Sequence, residues 1–338
     1  MLLSRYSINL AWRIVTPILL LHFAGNTAAD VLPDHDNSPL TGIFGFPEST
    51  EGSEIAGRGQ HTWDTSFILA SHNIDDTRGG EDLRLDGETT RLAFTYRYGL
   101  SDKVDIGIEV PYVWHQAGNL DSFVDSWHDF LRFPGGGARA NREQNQLEFF
   151  YADAQTTLVN MSNDADGVSD IRLLAGWQLS KSERRNTALR FSIKLPTGDS
   201  DELLGSGGTD ISLGLASDAV GIWGNEKLSG FYRANITYLG EPDRLADRYK
   251  KLVGQLSFGF GYHLHRNVDL RLQSRMRSAI YDSDIENLGA TSVSLTFGSV
   301  FRLSDRYRLV LSVSEDVKVG SAPDVSFQIT LRNVTASL

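Results

Sequence analysis

Charged side chains recur at alternate positions inside otherwise apolar runs of this sequence. The basic ones are Arg91, Arg97, Arg172, Arg190, Lys194, Arg233, Arg271, Arg275 and Arg277; the acidic ones are Asp105, Glu109, Asp170, Asp210 and Asp269. A strand turns successive side chains to opposite faces, so within each run these residues share one polar face. Gathered around a wet interior, basic groups in excess over carboxylates favour anions in a narrow passage. Paired with those carboxylates, the same groups cross-link the wall and fill the space they surround. Both readings stay open on the residues alone.

Other candidate chemistry is thinner. Ser71-His72-Asn73 holds the residue types of a hydrolase, but neighbours on a strand face opposite ways, which suits no triad. His115 and His128, with Asp121, Asp125 and Asp129, are the types a rim protease would cluster, and surface solvation is the simpler role for these acids. Asp164-Ala165-Asp166-Gly167 to Asp170 resembles a calcium loop without its full ligand series, and reads as a turn. Gly205-Ser206-Gly207-Gly208-Thr209 lacks the lysine of a phosphate-binding loop. His263 and His265 supply two imidazoles, too few for a convincing metal site. The chain has no cysteine, which excludes disulfides and thiolate sites. No catalytic residue, metal or cofactor is expected. A formal charge of -11 argues against a nucleic-acid partner, which needs a basic surface.

The elements that must position the charged rows are strands. Thr90, Leu92, Phe94, Tyr96 and Tyr98 alternate with polar residues and Ala93, and Val104, Ile106, Ile108, Val110, Tyr112 and Trp114 do the same. Comparable rows continue to Val325, Phe327, Ile329 and Leu331. This period of two predicts strands near 62–74, 89–98, 104–115, 168–180, 187–196, 209–220, 228–239, 251–264, 267–281, 290–303, 306–319 and 324–332. Short connectors (99–103, 181–186, 221–227, 265–267, 304–306) alternate with longer polar ones (75–88, 197–208, 240–250, 282–289). That asymmetry marks an antiparallel up-and-down transmembrane β-barrel with tight periplasmic turns and longer outer loops. A soluble β-sandwich also alternates, with its apolar rows meeting in a core. Export and the aromatic residues at row ends favour the barrel.

Residues 1–29 read as a cleavable signal peptide. Arg5 and Arg13 precede or open an apolar run from Ile14 to Ala24, and Thr27-Ala28-Ala29 offers small residues for cleavage. The barrel is assigned to 61–338. Residues 30–60, with the small apolar stretch from Thr41 to Pro47, form either a plug or a periplasmic segment. Residues 116–167 form a large extracellular excursion. Within it Leu120, Phe123, Val124, Trp127 and Leu131 have the spacing of one face of a short helix, read as a lid or as the core of an ordered loop.

Several phrases carry a family resemblance. Tyr98-Gly99-Leu100-Ser101-Asp102-Lys103-Val104-Asp105-Ile106-Gly107 with Pro111-Tyr112, then Lys194-Leu195-Pro196-Thr197-Gly198-Asp199, and Trp127-His128-Asp129 resemble an uncharacterised outer-membrane barrel family of Gram-negative bacteria. A looser likeness runs to barrels linked to phenol-degradation operons. The resemblance implies the fold and the compartment, the bacterial outer membrane, and no activity. The expected function is a passive channel for small, anionic or amphipathic solutes. The alternative is a non-conducting structural or surface-interaction barrel, with an outer-membrane hydrolase a distant third. Expected partners are outer-membrane lipid and lipopolysaccharide, the barrel-assembly machinery and a small solute.

Overall fold

A computed structural model describes residues 31–47, 52–118, 146–154, 156–317 and 325–334. Its strands, in chain order, are β1 (His61–Arg78), β2 (Glu81–Ser101), β3 (Val104–Gln116), β4 (Glu148–Ala152), β5 (Thr157–Met161), β6 (Ala165–Val168), β7 (Arg172–Lys181) and β8 (Arg185–Lys194). They continue with β9 (Asp210–Val220), β10 (Leu228–Tyr238), β11 (Leu252–His265), β12 (Val268–Arg277), β13 (Ser292–Arg302), β14 (Tyr307–Asp316) and β15 (Val325–Asn333). Twelve of these close into a ring, because β3 pairs with both β2 and β7, β7 to β15 follow in order, and β15 returns to β1. The closing seam is antiparallel from Trp63 opposite Asn333 to Ser71 opposite Val325. Closure leaves no ring strand with a free edge, which hydrocarbon demands.

The burial pattern identifies the outside. Every ring strand presents an exposed large apolar side chain: Phe67, Phe94, Ile106, Leu173, Phe191, Leu213, Ile236, Leu256, Leu272, Phe297, Leu311 and Ile329. Adjacent positions are buried and mostly polar, among them Ser66, Asp105, Arg172, Arg190, Ser212, Thr237, Ser257, Arg271, Thr296 and Thr330. A sandwich would bury the first set. Here the apolar belt faces outward all round, as in an outer-membrane barrel, and the charged face turns in.

The predicted ring strands all appear, with one substantial correction at the outer end. Residues 75–88, read as a loop, are strand. β1 and β2 run on past the belt as a hairpin paired from His72 opposite Gly87 to Arg78 opposite Glu81. Gly79 and Gly80 turn it with φ of 62° and 86°, a left-handed pair that glycine adopts freely. Acidic residues obscured the alternation there, because this projection stands above lipid and needs no apolar outer face. β4 pairs with β2 over Asp82 to Asp86, β5 adds to β4, and β6 pairs with β3 from Tyr112 to His115. These three short strands heighten the wall without joining the ring. The α-helix described, α1 (Glu286–Gly289), is a single turn in the outer loop after β12. The helical stretch expected over Leu120 to Leu131 lies outside the described residues, as does the signal peptide.

A cation on the outward face tests the assignment. Phe297, half-exposed at the middle of β13, replaced by Arg should destabilise the barrel by about 2–4 kcal/mol in a lipid bilayer. Urea titration of protein refolded into vesicles measures this. The same substitution at Leu303, past the end of β13 and near the tight-turn rim, should cost about 0–1 kcal/mol.

Candidate functional site

Strand register brings the charged face together in clusters. Glu109 on β3 stands opposite Arg172 on β7. Its carboxylate accepts from Arg172 Nε at 3.0 Å and Nη2 at 2.5 Å, and from Arg91 Nη2 at 2.6 Å. Asp105, fully buried, accepts from Arg97 at 3.1 Å and from Arg190 at 3.3 Å. Arg190 reaches it from β8 across β7 because Gly176 lies between them. A Cβ there would sit 2.3 Å from Arg190 Nη1 and 2.4 Å from Asp105 Oδ1. Lys194 pairs with Asp170 at 2.6 Å and Asp210 at 3.2 Å. Near the tight-turn end, Asp269 meets His263 at 2.6 Å, Arg302 at 3.2 Å and Arg271 at 3.6 Å. Arg233 stacks on Phe231, 4.8 Å from the ring centre. All ten predicted wall residues, Arg91, Arg97, Asp105, Glu109, Arg172, Arg190, Lys194, Arg233, Arg271 and Arg275, are buried on the face opposite the apolar belt.

The interior they surround is occupied by the chain's own N-terminal segment. Leu32 packs with Val300 and Val310 on β13 and β14. Asp34 and Asp36 then meet Arg275 and Arg277 on β12, at 3.4 and 2.8 Å. The chain turns at residues 39–44 near the outer end, where Tyr281 Oη donates to the Leu40 carbonyl at 2.8 Å. It descends along the opposite wall. Lys194 Nζ donates to Ile43 O at 3.2 Å, Arg172 Nη1 to Phe46 O at 2.7 Å, and Arg190 Nη2 to Gly52 O and Glu54 O, each at 2.6 Å. Gly45 N donates to Asp210 at 2.7 Å and Ala56 N to Asp105 at 3.0 Å. At Gly45 a Cβ would stand 2.7 Å from the Cβ of Lys194, so the backbone lies directly against the wall. Arg58 finally bridges to Gly99, and β1 begins.

An apolar cap covers the outer end. Leu40, Phe44 and Phe46 from the segment pack with Ile74, Leu83, Leu85, Phe149, Tyr151, Leu203, Leu239, Leu245, Ile280, Tyr281, Ile285 and Leu288. Burial pushes the Tyr151 hydroxyl up to about 12 and raises Tyr281 as well, so both stay neutral. Beneath the cap Thr89 Oγ1 lies 3.0 Å from both His72 Nε2 and His115 Nδ1, while His115 Nε2 lies 3.3 Å from Leu203 O. With both rings neutral, His115 donates to that carbonyl, Thr89 donates to His115, and His72 donates to Thr89. The chain of protons braces three strands and the Leu203 loop. The two histidines were visible in the sequence, but only the β1–β2–β3 register shows that a threonine joins them. Ser71 sits apart from this network on its strand.

Two weak motifs turn out to be one loop clamp. Asp170, from the calcium-like stretch, accepts from the main-chain N–H of Thr197, Gly198 and Ser206 at 3.0, 2.9 and 3.0 Å. It thereby fixes the glycine-rich loop before β9. Among the described residues no group of three or more His, Asp or Glu is arranged to hold a metal ion. A cavity of about 40 Å³ remains between segment and wall, lined in part by Asp36, Asn37, Arg91, Glu109, His115 and Lys194. It has room for ordered water. The predicted lid residues Leu120, Phe123, Val124, Trp127 and Leu131 lie outside the described residues.

The chain belongs to a family described as a protein of unknown function, DUF3187, whose profile matches residues 14–334. No curated protein sequence matches it. Among solved structures it is similar to the COG4313 outer membrane channel from Pseudomonas putida F1, with 14% identity and a TM-score of 0.55 over 86% of this chain and 100% of the other. Weaker likenesses include the NanC porin, at 8% identity and TM-score 0.44 over 81% of this chain and 100% of that one. The Ralstonia pickettii toluene transporter TbuX follows at 12% and 0.39, over 82% and 90%. The first likeness extends the barrel assignment; the other two superpose too loosely to carry an argument.

Removing one member of a buried ion cluster exposes its worth. Glu109→Gln leaves Arg91 and Arg172 facing each other without their shared carboxylate and should cost about 3–5 kcal/mol. Adding Arg172→Met to that background should return part of the loss. Unfolding titrations of the single and double variants in vesicles measure both.

Proposed function

We propose that this chain is a passive outer-membrane channel for small, anionic or amphipathic solutes, closed in the described state by its own N-terminal segment. One observation carries the reading. The interior is filled by a doubled-back chain segment and not by the wall's side chains alone. Barrels of about eight strands are filled by side chains, and those of sixteen or more hold open channels. A ring of twelve has room for a strand-like insert, and what an insert occupies a solute could cross.

The segment's contacts suit removal. It holds the wall through main-chain carbonyls, two carboxylates and a short apolar turn; water can replace the carbonyls, and an anionic solute can replace the carboxylates. The COG4313 outer membrane channel, which shares this fold, supports the reading. A non-conducting barrel remains the second reading, favoured by the density of wall ion pairs. Among the described residues the buried His72–Thr89–His115 chain lies under the apolar cap, which favours a bracing role over hydrolysis. The assignments of residues 1–29 as signal peptide, 30–60 as plug and 116–167 as an outer excursion belong to this proposal. So do lipopolysaccharide and the barrel-assembly machinery as partners.

Deleting residues 30–47 should convert a closed barrel into one giving discrete, anion-favouring current steps in planar bilayers. Heat-modified gel mobility of the same sample verifies folding. A folded, inserted and silent deletion variant would establish the non-conducting reading instead.

A further inference from the structure

The two walls that grip the N-terminal segment are not equivalent. On the side formed by β2, β3 and β7 to β9, wall arginines and Lys194 keep wall carboxylates: Glu109, Asp105, Asp170 and Asp210. They would remain paired if the segment left. On β12 the arrangement differs. Arg275 stands opposite Ser257 on β11 and Ser294 on β13, and Arg277 opposite Gln255 and Ser292. None of these four neighbours is charged. Asp316 lies one strand further on, in register with Ser294.

The carboxylates within ion-pairing distance of the two arginines come from the segment, while Asp316 of the wall attracts Arg277 from further off. Asp34 Oδ1 lies 3.4 Å from Arg275, whose Nη1 also donates to the Asp34 carbonyl at 3.3 Å, and Gln273 donates to Asp34 Oδ2 at 3.4 Å. Asp36 Oδ2 lies 2.8 Å from Arg277, and that guanidinium also covers the Phe46 ring at 5.4 Å. All four ionised side chains are more than nine-tenths buried. Alternate residues on an extended chain are about 7 Å apart, so the Asp34–Asp36 spacing matches the Arg275–Arg277 spacing.

Resting on the channel reading above, we propose that Arg275 and Arg277 form a dicarboxylate-binding step of the passage, and that Asp34 and Asp36 occupy it as a built-in mimic of the solute. A buried arginine stripped of its counter-charge is strongly unfavourable. The step is therefore filled either by the segment or by a solute that offers two carboxylates at a similar separation. Such a solute binds only when the segment has withdrawn, and so shifts the population towards the withdrawn state. A monocarboxylate satisfies one arginine and leaves the other without a close counter-charge, which makes it a poor competitor.

The absence of cysteine supplies a reporter. Ser38, buried in the segment beside Asp36, is changed to Cys, and its reaction with a thiol reagent is timed in protein refolded into liposomes. Adipate, a six-carbon dicarboxylate, should accelerate labelling by about tenfold at saturation, equivalent to a modest shift in the withdrawn population. Hexanoate and the shorter succinate should change it little. Arg275→Gln with Arg277→Gln should raise the basal rate and abolish the adipate effect. Should that double variant not fold, Asp34→Asn with Asp36→Asn leaves the wall intact. It should raise the basal rate and lower the adipate concentration needed. No adipate dependence, or an equal response to hexanoate, overturns the proposal. The conductance of the barrel lacking residues 30–47 is a separate readout. Current without adipate-dependent labelling keeps the channel and removes this site, and adipate-dependent labelling in a silent barrel keeps the site and removes the channel.

Discussion

Inside a bilayer, a backbone N–H or C=O without a partner costs several kcal/mol, and no water is present to supply one. The ring of twelve strands answers this by closing β15 onto β1. Everything else follows from that closure. A strand alternates its side chains, so a wall with lipid on one side must gather its polar residues on the other. A closed wall gathers them around a confined space. The charged interior is therefore not an addition to the barrel but the other half of its outer surface.

Confinement then sets the electrostatic problem. Charges facing one another across a narrow interior need counter-charges at hydrogen-bonding distance, because water there is limited and each bare ion is costly. The wall solves most of this itself by register. Glu109 is directly opposite Arg172, and Gly176 clears the line from Arg190 to Asp105. The N-terminal segment supplies the rest, with carbonyl oxygens turned to Arg172, Arg190 and Lys194 and carboxylates turned to Arg275 and Arg277. Its apolar turn, carrying Leu40, Phe44 and Phe46, is buried beneath the outer hairpin and loops. Polar arms below and an apolar tip above place the segment in one orientation.

Much of this was legible in the residues. The two-residue period located every ring strand, and parity placed the charged rows on the inner face, because lipid imposes that pattern on each strand independently. Legibility failed where lipid stops. Residues 75–88 continue as strand with Asp75, Asp76, Asp82 and Asp86 on them, since above the belt a hairpin has no apolar outer face to reveal it. The short strands β4 to β6 pair with the tops of β2 and β3 and carry the same ambiguity. The His72–Thr89–His115 chain depends on register between three strands, which no single run of sequence displays. The segment's place inside the barrel was open for a related reason. Asp34-His35-Asp36 has no periodic context of its own, and its spacing acquires meaning only against Arg275 and Arg277, some 240 residues later.

That long-range match separates two roles a buried segment can have. A segment that only filled space would be best served by apolar side chains, because replacing a buried ion pair with well-packed hydrophobes is often neutral or stabilising. A wall meant only to hold such a filler would carry apolar residues facing it. Instead β12 presents Arg275 and Arg277 among Ser257, Ser294, Gln255 and Ser292, a polar row that keeps its affinity for acceptors whether or not the segment is there. The cost of burying four charges makes sense when the contact must be both specific and exchangeable. Ion pairs meet that need, since an anionic solute can take the place of the segment's carboxylates. An apolar contact is strongest when nothing replaces it.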